Sequence, residues 1–313
     1  MKASIRVRVP ATTANLGPGF DTLGIALKIY NEVELRLSPL TSHLSTPTPR
    51  PSALSMTEEA ARLFFRKSGL KPRGFEARIH GNVPVARGLG SSVTIRLGIM
   101  AGLNALLGKP FDKQGLLELV AALEGHPDNA APAVYGGLAV SGMVLNGLSR
   151  LSPEALAKGE AGSKGVVTIH RKLPATLKFV ATIPDFEVQT SKARCLLPKQ
   201  VPFADAVHNV NRVALLVAAL WNGNYREIGD FLDDRLHQPS RAKLVPQLFP
   251  ALDAAKRAGA IGGWLSGSGS TIMALTLVNA AGVGRAMLRM FKKDRVACEI
   301  RVMGVDNKGF CCH

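Results

Sequence analysis

The chain has 313 residues, of which 46% are hydrophobic, so it can bury the core of one large domain or of two ordinary ones. This content excludes wholesale disorder, and the four cysteines follow neither metal-site nor disulfide-framework spacing, which fits a reducing cytoplasm. The net charge of +16 is compatible with nucleic-acid binding or with attraction of anionic substrates. Because basic residues are spread along the whole chain and aromatic residues are few, we expect no nucleic-acid partner.

Predicted strands and helices are mixed along the chain without a strict βαβ order. At the N-terminus, Ile5, Val7 and Val9 alternate with arginines, which predicts a strand and not a signal peptide. Further strands are predicted at residues 31–37, 75–80 and 177–184, and helices at 57–67, 93–107, 113–123, 203–221, 242–257 and 280–291. The apolar helix at 93–107 is too short to span a bilayer, so we expect no membrane association. The mixture predicts the α+β class.

Two stretches of the chain have low apolar content. Residues 38–52, SPLTSHLSTPTPRPS, are interpreted as an exposed loop or insertion rather than a domain linker, because Pro, Ser and Thr dominate them. Residues 152–165 mark a softer boundary, where apolar content falls and Gly and Lys rise. We therefore predict two domains, 1–165 and 166–313.

The stretch VPATTANLGPGFDTLGIAL, residues 9–27, leads a strand into a small-polar turn. Its simplest interpretation is a tight turn in which glycines supply positive φ angles and Asp21 caps the next segment of the chain. The functional alternative is a polar cleft lined by Asn15 and Asp21, in which Asp21 can pair with a substrate ammonium group.

The stretch NVPVARGLGSSVTIRLGIMAGLNALLG, residues 82–108, is a glycine-rich turn followed by an apolar helix. Unpaired N–H groups and the dipole make such a helix N-terminus suited to anions, although no Walker lysine comes after the glycines. Ser91 as a simple N-cap is the alternative. A simple turn does not require two glycines around Leu89. Small residues at 98, 101, 102 and 105 allow close packing that fixes the helix. Both observations favour a phosphate cradle.

Two further stretches carry polar groups. Residues 262–275, GGWLSGSGSTIMAL, predict a hairpin whose turn could also contact a phosphate or carboxylate. In ALEGHPDNAAPAVYGGL, residues 122–138, Glu124, His126, Asp128 and Asn129 crowd the end of a helix. The spacing does not suit zinc, whereas Glu124 suits Mg²⁺ with phosphate oxygens; a plain helix-end turn broken by Pro127 remains the alternative.

Together, the four stretches resemble the GHMP kinase family, in its order and over essentially the whole chain. PVARGLGSS, residues 84–92, is similar to the family's central phosphate loop, and LSGSGSTIMAL, residues 265–275, to its C-terminal glycine motif. PATTANLGPGFDTLGIAL and EGHPDNAAPAVYGGL, residues 10–27 and 124–138, are closest to the homoserine kinases of that family. The resemblance implies a ribosomal-S5-like nucleotide-binding domain and a ferredoxin-like C-terminal domain. It also implies ATP-dependent phosphorylation of the L-homoserine hydroxyl in threonine biosynthesis, Mg²⁺ as cofactor, and a homodimer.

The resemblance implies a role for each candidate site residue. Asn129 would orient the substrate hydroxyl while its proton passes directly to the phosphate; Asp128 is adjacent, and a role as base stays open for it. The other implied groups are the phosphate-binding residues Pro84, Arg87, Gly88, Leu89, Gly90, Ser91 and Ser92, the Mg²⁺-associated pair Ser92 and Glu124, and the substrate contacts Asn15, Asp21, His126, Arg194 and Arg241. The two arginines would hold the substrate carboxylate.

This sequence departs from the family pattern at a few positions. Val93 and Thr94 come after the phosphate loop where two alanines are usual, Arg96 enters the helix early, and Ser268 and Ser270 replace Ala and Pro. None of these changes removes a proposed ligand, but nucleotide affinity could differ. Two alternatives stay open: a family kinase acting on another small alcohol, mevalonate-type or sugar, and a non-catalytic ligand sensor of the same fold.

Overall fold

A computed structural model describes residues 4–38, 43–45, 51–145 and 164–313, which form two β-sheets and the helices that cover them. The first sheet contains β1 (Ser4–Ala14), β2 (Leu23–Ser38), β3 (His43–Ser45), β4 (Gly74–Gly81), β5 (Leu138–Leu145), β6 (Lys164–Arg171) and β11 (Cys311–Cys312). Its strands follow the order β11-β1-β2-β4-β3, and β5 pairs with both β2 and β6. All pairs are antiparallel except β3 with β4.

Four helices lie among the described residues of this part of the chain: α1 (Pro51–Ser68), α2 (Ser91–Leu106), α3 (Lys113–Glu124) and α4 (Ala130–Tyr135). Helix α2 lies directly against β1 and β2. A Cβ atom at Gly98 would approach Val33 to 2.4 Å, and one at Gly102 would approach Leu35 to 2.7 Å. The small residues therefore bring the helix close to the sheet, as predicted, and this contact fixes the position of its N-terminus.

The second sheet is antiparallel, with the order β10-β7-β9-β8. Its strands are β7 (Lys178–Pro184), β8 (Gly262–Leu265), β9 (Ile272–Thr276) and β10 (Cys298–Met303). The helices of this part are α5 (Thr190–Cys195), α6 (Phe203–Asn222), α7 (Gln238–Arg241), α8 (Leu248–Arg257) and α9 (Ala280–Lys293), with a 3₁₀ turn at Ile228–Phe231. Among the described residues, α6 alone is long and apolar enough, by length and composition, to cross a bilayer, a criterion that core helices of soluble proteins also meet.

The predicted α+β class and the hairpin at 262–275 are confirmed. The single helix predicted at 242–257 is wrong: α7 ends at Arg241 and α8 begins at Leu248. Pro246 explains the break, because proline disfavours helical backbone in the residue before it and has no N–H to donate. Ser91 is not the N-cap of α2 either; it is the first helical residue and comes directly after Gly90, which adopts a left-handed conformation.

Both predicted low-apolar stretches fall largely on residues outside the described part of the chain. Of 38–52, the described residues end β2, form β3 and begin α1, so this portion is not the exposed loop that the composition predicts. Of 152–165, only the last two residues are described, and they begin β6, which pairs with β5 in the first sheet. The division of the chain at residue 165 stays a prediction.

Candidate active site

A cavity of about 850 Å³ lies where the first sheet and α2 meet the second half of the chain. It brings together residues that are far apart in sequence, from Asn15 to Ser268. Of the predicted site residues, all line this cavity except Pro84, Arg87 and Leu89. Those three lie in the same loop but face elsewhere. Leu89 is fully buried in the core, and Arg87 pairs with Asp185.

The loop before α2 packs its backbone tightly against the C-terminal glycine motif. The carbonyl of Gly88 accepts a hydrogen bond from Ser266 at 2.7 Å, and a Cβ atom at Gly88 would lie 2.1 Å from the Ser266 carbonyl oxygen. Gly88 and Gly90 both have positive φ angles, 75° and 68°. The two predicted glycine motifs therefore meet at one edge of the cavity, where only residues without a side chain fit.

The N-terminus of α2 opens into the same cavity. Ser91 and Ser92 line it, and no side chain caps the helix. Free N–H groups at a helix N-terminus together with the helix dipole form a binding site for anions. The loop and the helix end thus have the geometry of a phosphate cradle without a lysine.

Glu124 and Ser92 lie side by side at this helix end and offer two oxygen ligands for a metal ion. The Ser92 hydroxyl donates to Glu124 Oε2 at 3.0 Å, and both residues line the cavity. A carboxylate and a hydroxyl are oxygen donors of the kind that Mg²⁺ takes when phosphates supply its remaining ligands. The residues present therefore fit this ion, although Arg96 also contacts Glu124 Oε1 at 2.6 Å.

The stretch 126–129 forms a hydrogen-bonded cluster in the lining of the cavity. Asp128, which is 2% exposed, accepts from the main-chain N–H of Asn129 at 2.8 Å and from its side-chain amide at 3.1 Å. The same carboxylate oxygen contacts the ring of His126. Burial lowers the pKa of His126, but the hydrogen bond to Asp128 and its charge outweigh this and leave the pKa raised. The cluster fixes the side chain of Asn129.

Asp21 and Arg194 form a bidentate ion pair across the cavity, with nitrogen–oxygen distances of 2.7 and 3.0 Å. Asp21 comes from the turn after β1, and Arg194 comes from α5. Each side chain is about a third exposed, so both charges can be reached by a ligand. The pair presents one negative and one positive group side by side.

Arg241 is a second cation in the cavity wall, and it is only 2% exposed. It donates to the carbonyl of Gly267 at 2.9 Å, and its guanidinium lies 5.0 Å from the ring centroid of Phe20. Burial, together with the neighbouring Arg194, lowers the pKa of Arg241 to about 10. Its Nε is buried and has no hydrogen-bond partner among the described residues, so this donor is unsatisfied in the free protein.

Sequence reasoning missed three contributors. Thr12 donates its hydroxyl to Asn129 Oδ1 at 2.7 Å and so fixes the amide from the far side; the residue lies in the quoted N-terminal motif but carries no signal of its own there. Phe20, in the same motif, contacts the guanidinium groups of both arginines through its ring. An apolar end of the cavity is lined by Ile79, Val83 and Ile95; the last two lie in the quoted stretch 82–108, but its pattern does not mark them as site residues.

The chain matches the models of the GHMP kinases N terminal domain at residues 55–137 and of the GHMP kinases C terminal at residues 216–293. It is 39% identical to a homoserine kinase of Moorella thermoacetica, with 97% of this chain and 98% of the relative covered. It is 38% identical to a homoserine kinase of Carboxydothermus hydrogenoformans, with 97% and 95% covered. The crystal structure of homoserine kinase from Cytophaga hutchinsonii superposes with a TM-score of 0.84 at 29% identity and covers 100% of this chain and 98% of that one.

A mevalonate kinase superposes with a TM-score of 0.65 at 15% identity, which shows a shared fold and no more. The sequence relatives, in contrast, are well above 30% identical and match from end to end. The chain therefore belongs to the GHMP kinase family and, within it, to the homoserine kinases.

Proposed function

We propose that the protein transfers the terminal phosphoryl group of ATP to the hydroxyl of L-homoserine and releases ADP and O-phospho-L-homoserine. The observation that carries this proposal is the pairing of Asp21 with Arg194 next to the buried Arg241, within one cavity that also holds a phosphate cradle. Family membership supports the same reaction, which is the one named for its relatives.

The ion pair favours a zwitterionic substrate. In the free protein, Asp21 and Arg194 satisfy each other. A ligand with only one charge would leave one of these two charged groups without a partner, at a site where each side chain is only about a third exposed. The ammonium and carboxylate of an α-amino acid replace both partners at once, and Arg241 adds a second donor set for the carboxylate. His126 and Asn15, which also line the cavity, are proposed as further substrate contacts.

The nucleotide would lie along α2. In this arrangement the N–H groups of the 88–92 loop and the helix N-terminus bind the phosphates, and the apolar end near Ile79 and Val83 suits the base. Ser92 and Glu124 would hold Mg²⁺, which when bound neutralises charge on the transferred phosphoryl group.

The chain's own residues contribute mainly positioning. Phosphoryl transfer needs an aligned acceptor and neutralised charge more than it needs covalent chemistry. Asn129, held by Thr12 and Asp128, is proposed to orient the substrate hydroxyl, whose proton then passes to the phosphate. We further propose a cytoplasmic location, and a homodimer stays a prediction from the resemblance.

The test is ADP release by the purified protein with Mg²⁺ and ATP, against L-homoserine, mevalonate, galactose and a blank without acceptor. We expect turnover with L-homoserine alone. Turnover with another alcohol would be consistent with the assignment of the phosphate loop but would contradict a zwitterionic substrate. If folded protein that still binds ATP releases no ADP with any acceptor, the result would support the non-catalytic sensor instead.

A further inference from the structure

His237 lies behind the substrate site and belongs to none of the four motif stretches. It directly precedes α7, its side chain is fully buried, and Arg241 lies one helical turn further along the chain. The main-chain N–H of Arg241 donates to the His237 carbonyl at 3.0 Å. The two residues therefore form one rigid unit, with the imidazole beneath the guanidinium.

The two ring nitrogens of His237 face different partners. Nε2 lies 2.8 Å from the carbonyl oxygen of Gly17, which can only accept, so Nε2 carries the proton. Nδ1 lies 3.5 Å from Nη1 of Arg241, which can only donate, so Nδ1 is the acceptor. Burial lowers the pKa of His237, in agreement with a neutral ring that has one donor and one acceptor.

The ring also supports the turn that carries Asp21. It stacks on Phe20 with centroids 5.0 Å apart and planes inclined by 25°. Through Gly17 and Phe20 it contacts the 15–21 turn, and through Nδ1 it contacts Arg241. One neutral imidazole thus links the turn of the proposed ammonium site to the arginine of the proposed carboxylate site.

The backbone of His237 is itself held in place. Asp234 Oδ2 accepts from the main-chain N–H groups of His237 at 3.1 Å and of Gln238 at 2.7 Å. The other oxygen of Asp234 accepts from the amide of Asn209 on α6 at 2.7 Å. All three of Asn209, Asp234 and His237 are buried, so the linkage runs through the interior from α6 to the substrate site.

We propose that His237 is a positioning residue that sets the preference for a carboxylate-bearing substrate, by holding Arg241 and the Gly17–Phe20 turn in one geometry. The proposal rests on the proposed function, since Arg241 must bind the substrate carboxylate. It acts on specificity, not on the nucleotide, because no contact of the His237 ring with residues 84–92 is present in the described structure.

The test compares kcat/KM for L-homoserine with kcat/KM for L-homoserinamide, which lacks the carboxylate charge. In His237→Gln, the amide nitrogen can still donate to Gly17 but the acceptor for Arg241 is lost. In His237→Asn, the oxygen takes the place of Nδ1 and the acceptor is kept. We expect the ratio of the two kcat/KM values to fall about tenfold in His237→Gln, and to fall less than about threefold in His237→Asn, with KM for ATP unchanged in both.

His208→Gln is the matched control, because His208 lies on α6 beside Asp233 and is expected to leave the ratio unchanged. Asp234→Asn tests the linkage by a second route and is also expected to lower the ratio. This variant keeps the proposal testable if His237→Gln does not fold. If His237→Gln and Asp234→Asn each lower kcat/KM equally for L-homoserine and for its amide, His237 has only a structural role and the proposal is overturned. If the wild-type protein does not prefer L-homoserine to its amide, the proposed function fails instead, and that result needs no variant.

Discussion

One oxygen of the Asp128 carboxylate, Oδ1, is engaged with neighbouring residues of the same stretch. Oδ1 accepts two hydrogen bonds from Asn129 and contacts His126, and the residue is 2% exposed. A general base must be within reach of the proton that it removes. Because Oδ1 holds both the main-chain N–H and the amide of Asn129, the role that we expect for Asp128 is to fix that amide.

We therefore expect Asp128→Asn to lower kcat for L-homoserine by about tenfold or less, because the new amide oxygen can still accept from the main-chain N–H of Asn129. Loss of a true general base typically costs about 10²–10⁴-fold. Steady-state kinetics on protein with an unchanged circular dichroism spectrum measure the effect. A loss of more than about 100-fold, with KM for L-homoserine unchanged, would assign the base to Asp128 after all.

His237 gives the folded state a pH dependence of known sign. Burial is the largest cause of its lowered pKa and Arg241 adds to it, while Asp234 and Asp21 act in the opposite direction. Well above pH 6.5 the ring is neutral in both the folded and the unfolded chain, and its contribution to stability does not vary. As the pH falls from 6.5 towards the lowered pKa, the unfolded chain binds the proton first, and stability falls.

We expect the free energy of unfolding to decline between about pH 7 and pH 5 more steeply in the wild-type protein than in His237→Gln. The difference in slope approaches at most about 1.4 kcal/mol per pH unit, the value for one proton. Urea unfolding at several pH values measures both slopes, and the subtraction removes the contribution of the other titrating groups. Equal slopes would mean that the buried ring does not titrate in this range.

At the scale of elements, the phosphate cradle depends on the close approach of the 88–90 turn to β1. A Cβ atom at Gly90 would lie 2.2 Å from the Thr12 hydroxyl oxygen, the same hydroxyl that holds Asn129. Gly108, just beyond the other end of α2, has a positive φ angle of 88° but nothing within 4 Å of the added atom. Alanine at either glycine therefore introduces backbone strain, but only alanine at Gly90 also introduces a steric clash.

We expect Gly90→Ala to lower kcat/KM for ATP about tenfold or more, because the added methyl group displaces Thr12 and opens the cradle. Gly108→Ala should carry a comparable strain of about 1–2 kcal/mol in stability yet leave the ATP kinetics unchanged. Thermal unfolding and initial rates at varied ATP measure the two effects on each variant. If both variants lose nucleotide affinity equally, strain and not space at Gly90 controls the cradle.

At the scale of the whole molecule, local patterns predicted what depends on local sequence. The helical periodicity at 113–123 and the alternation at residues 5–9 gave elements close to those observed. The motif resemblance placed most of the candidate site residues in one cavity, because each motif is a short turn that carries its own geometry. Their individual roles stay predictions.

Contacts between distant segments were beyond that reasoning. The hydrogen bond from Thr12 to Asn129 joins residues 117 positions apart, and the one from His237 to Gly17 spans 220. No period or spacing encodes such pairs, since they exist only once both sheets have packed. For the same reason, the membership of β6 in the first sheet was not visible in the composition of residues 152–165.

The packing of the two sheets makes the halves of the chain interdependent. One continuous core cluster contains Leu16 and Leu23 from the first half and Phe179 and Trp264 from the second. The indole N–H of Trp264 donates to the Thr13 hydroxyl at 2.9 Å, and the chain returns after β10 to place β11 beside β1. Neither half can expose this surface without losing core contacts.

We therefore expect a single unfolding transition in calorimetry, with the calorimetric enthalpy equal to the van't Hoff enthalpy. Trp264→Ala should lower the free energy of unfolding by about 3–5 kcal/mol and move that one transition as a whole, because the cavity it leaves belongs to both halves. Phe249→Ala is the control, since this side chain on α8 is 44% exposed and its removal should cost less than about 0.5 kcal/mol. Two resolved transitions, only one of which moves in Trp264→Ala, would show instead that the halves unfold separately.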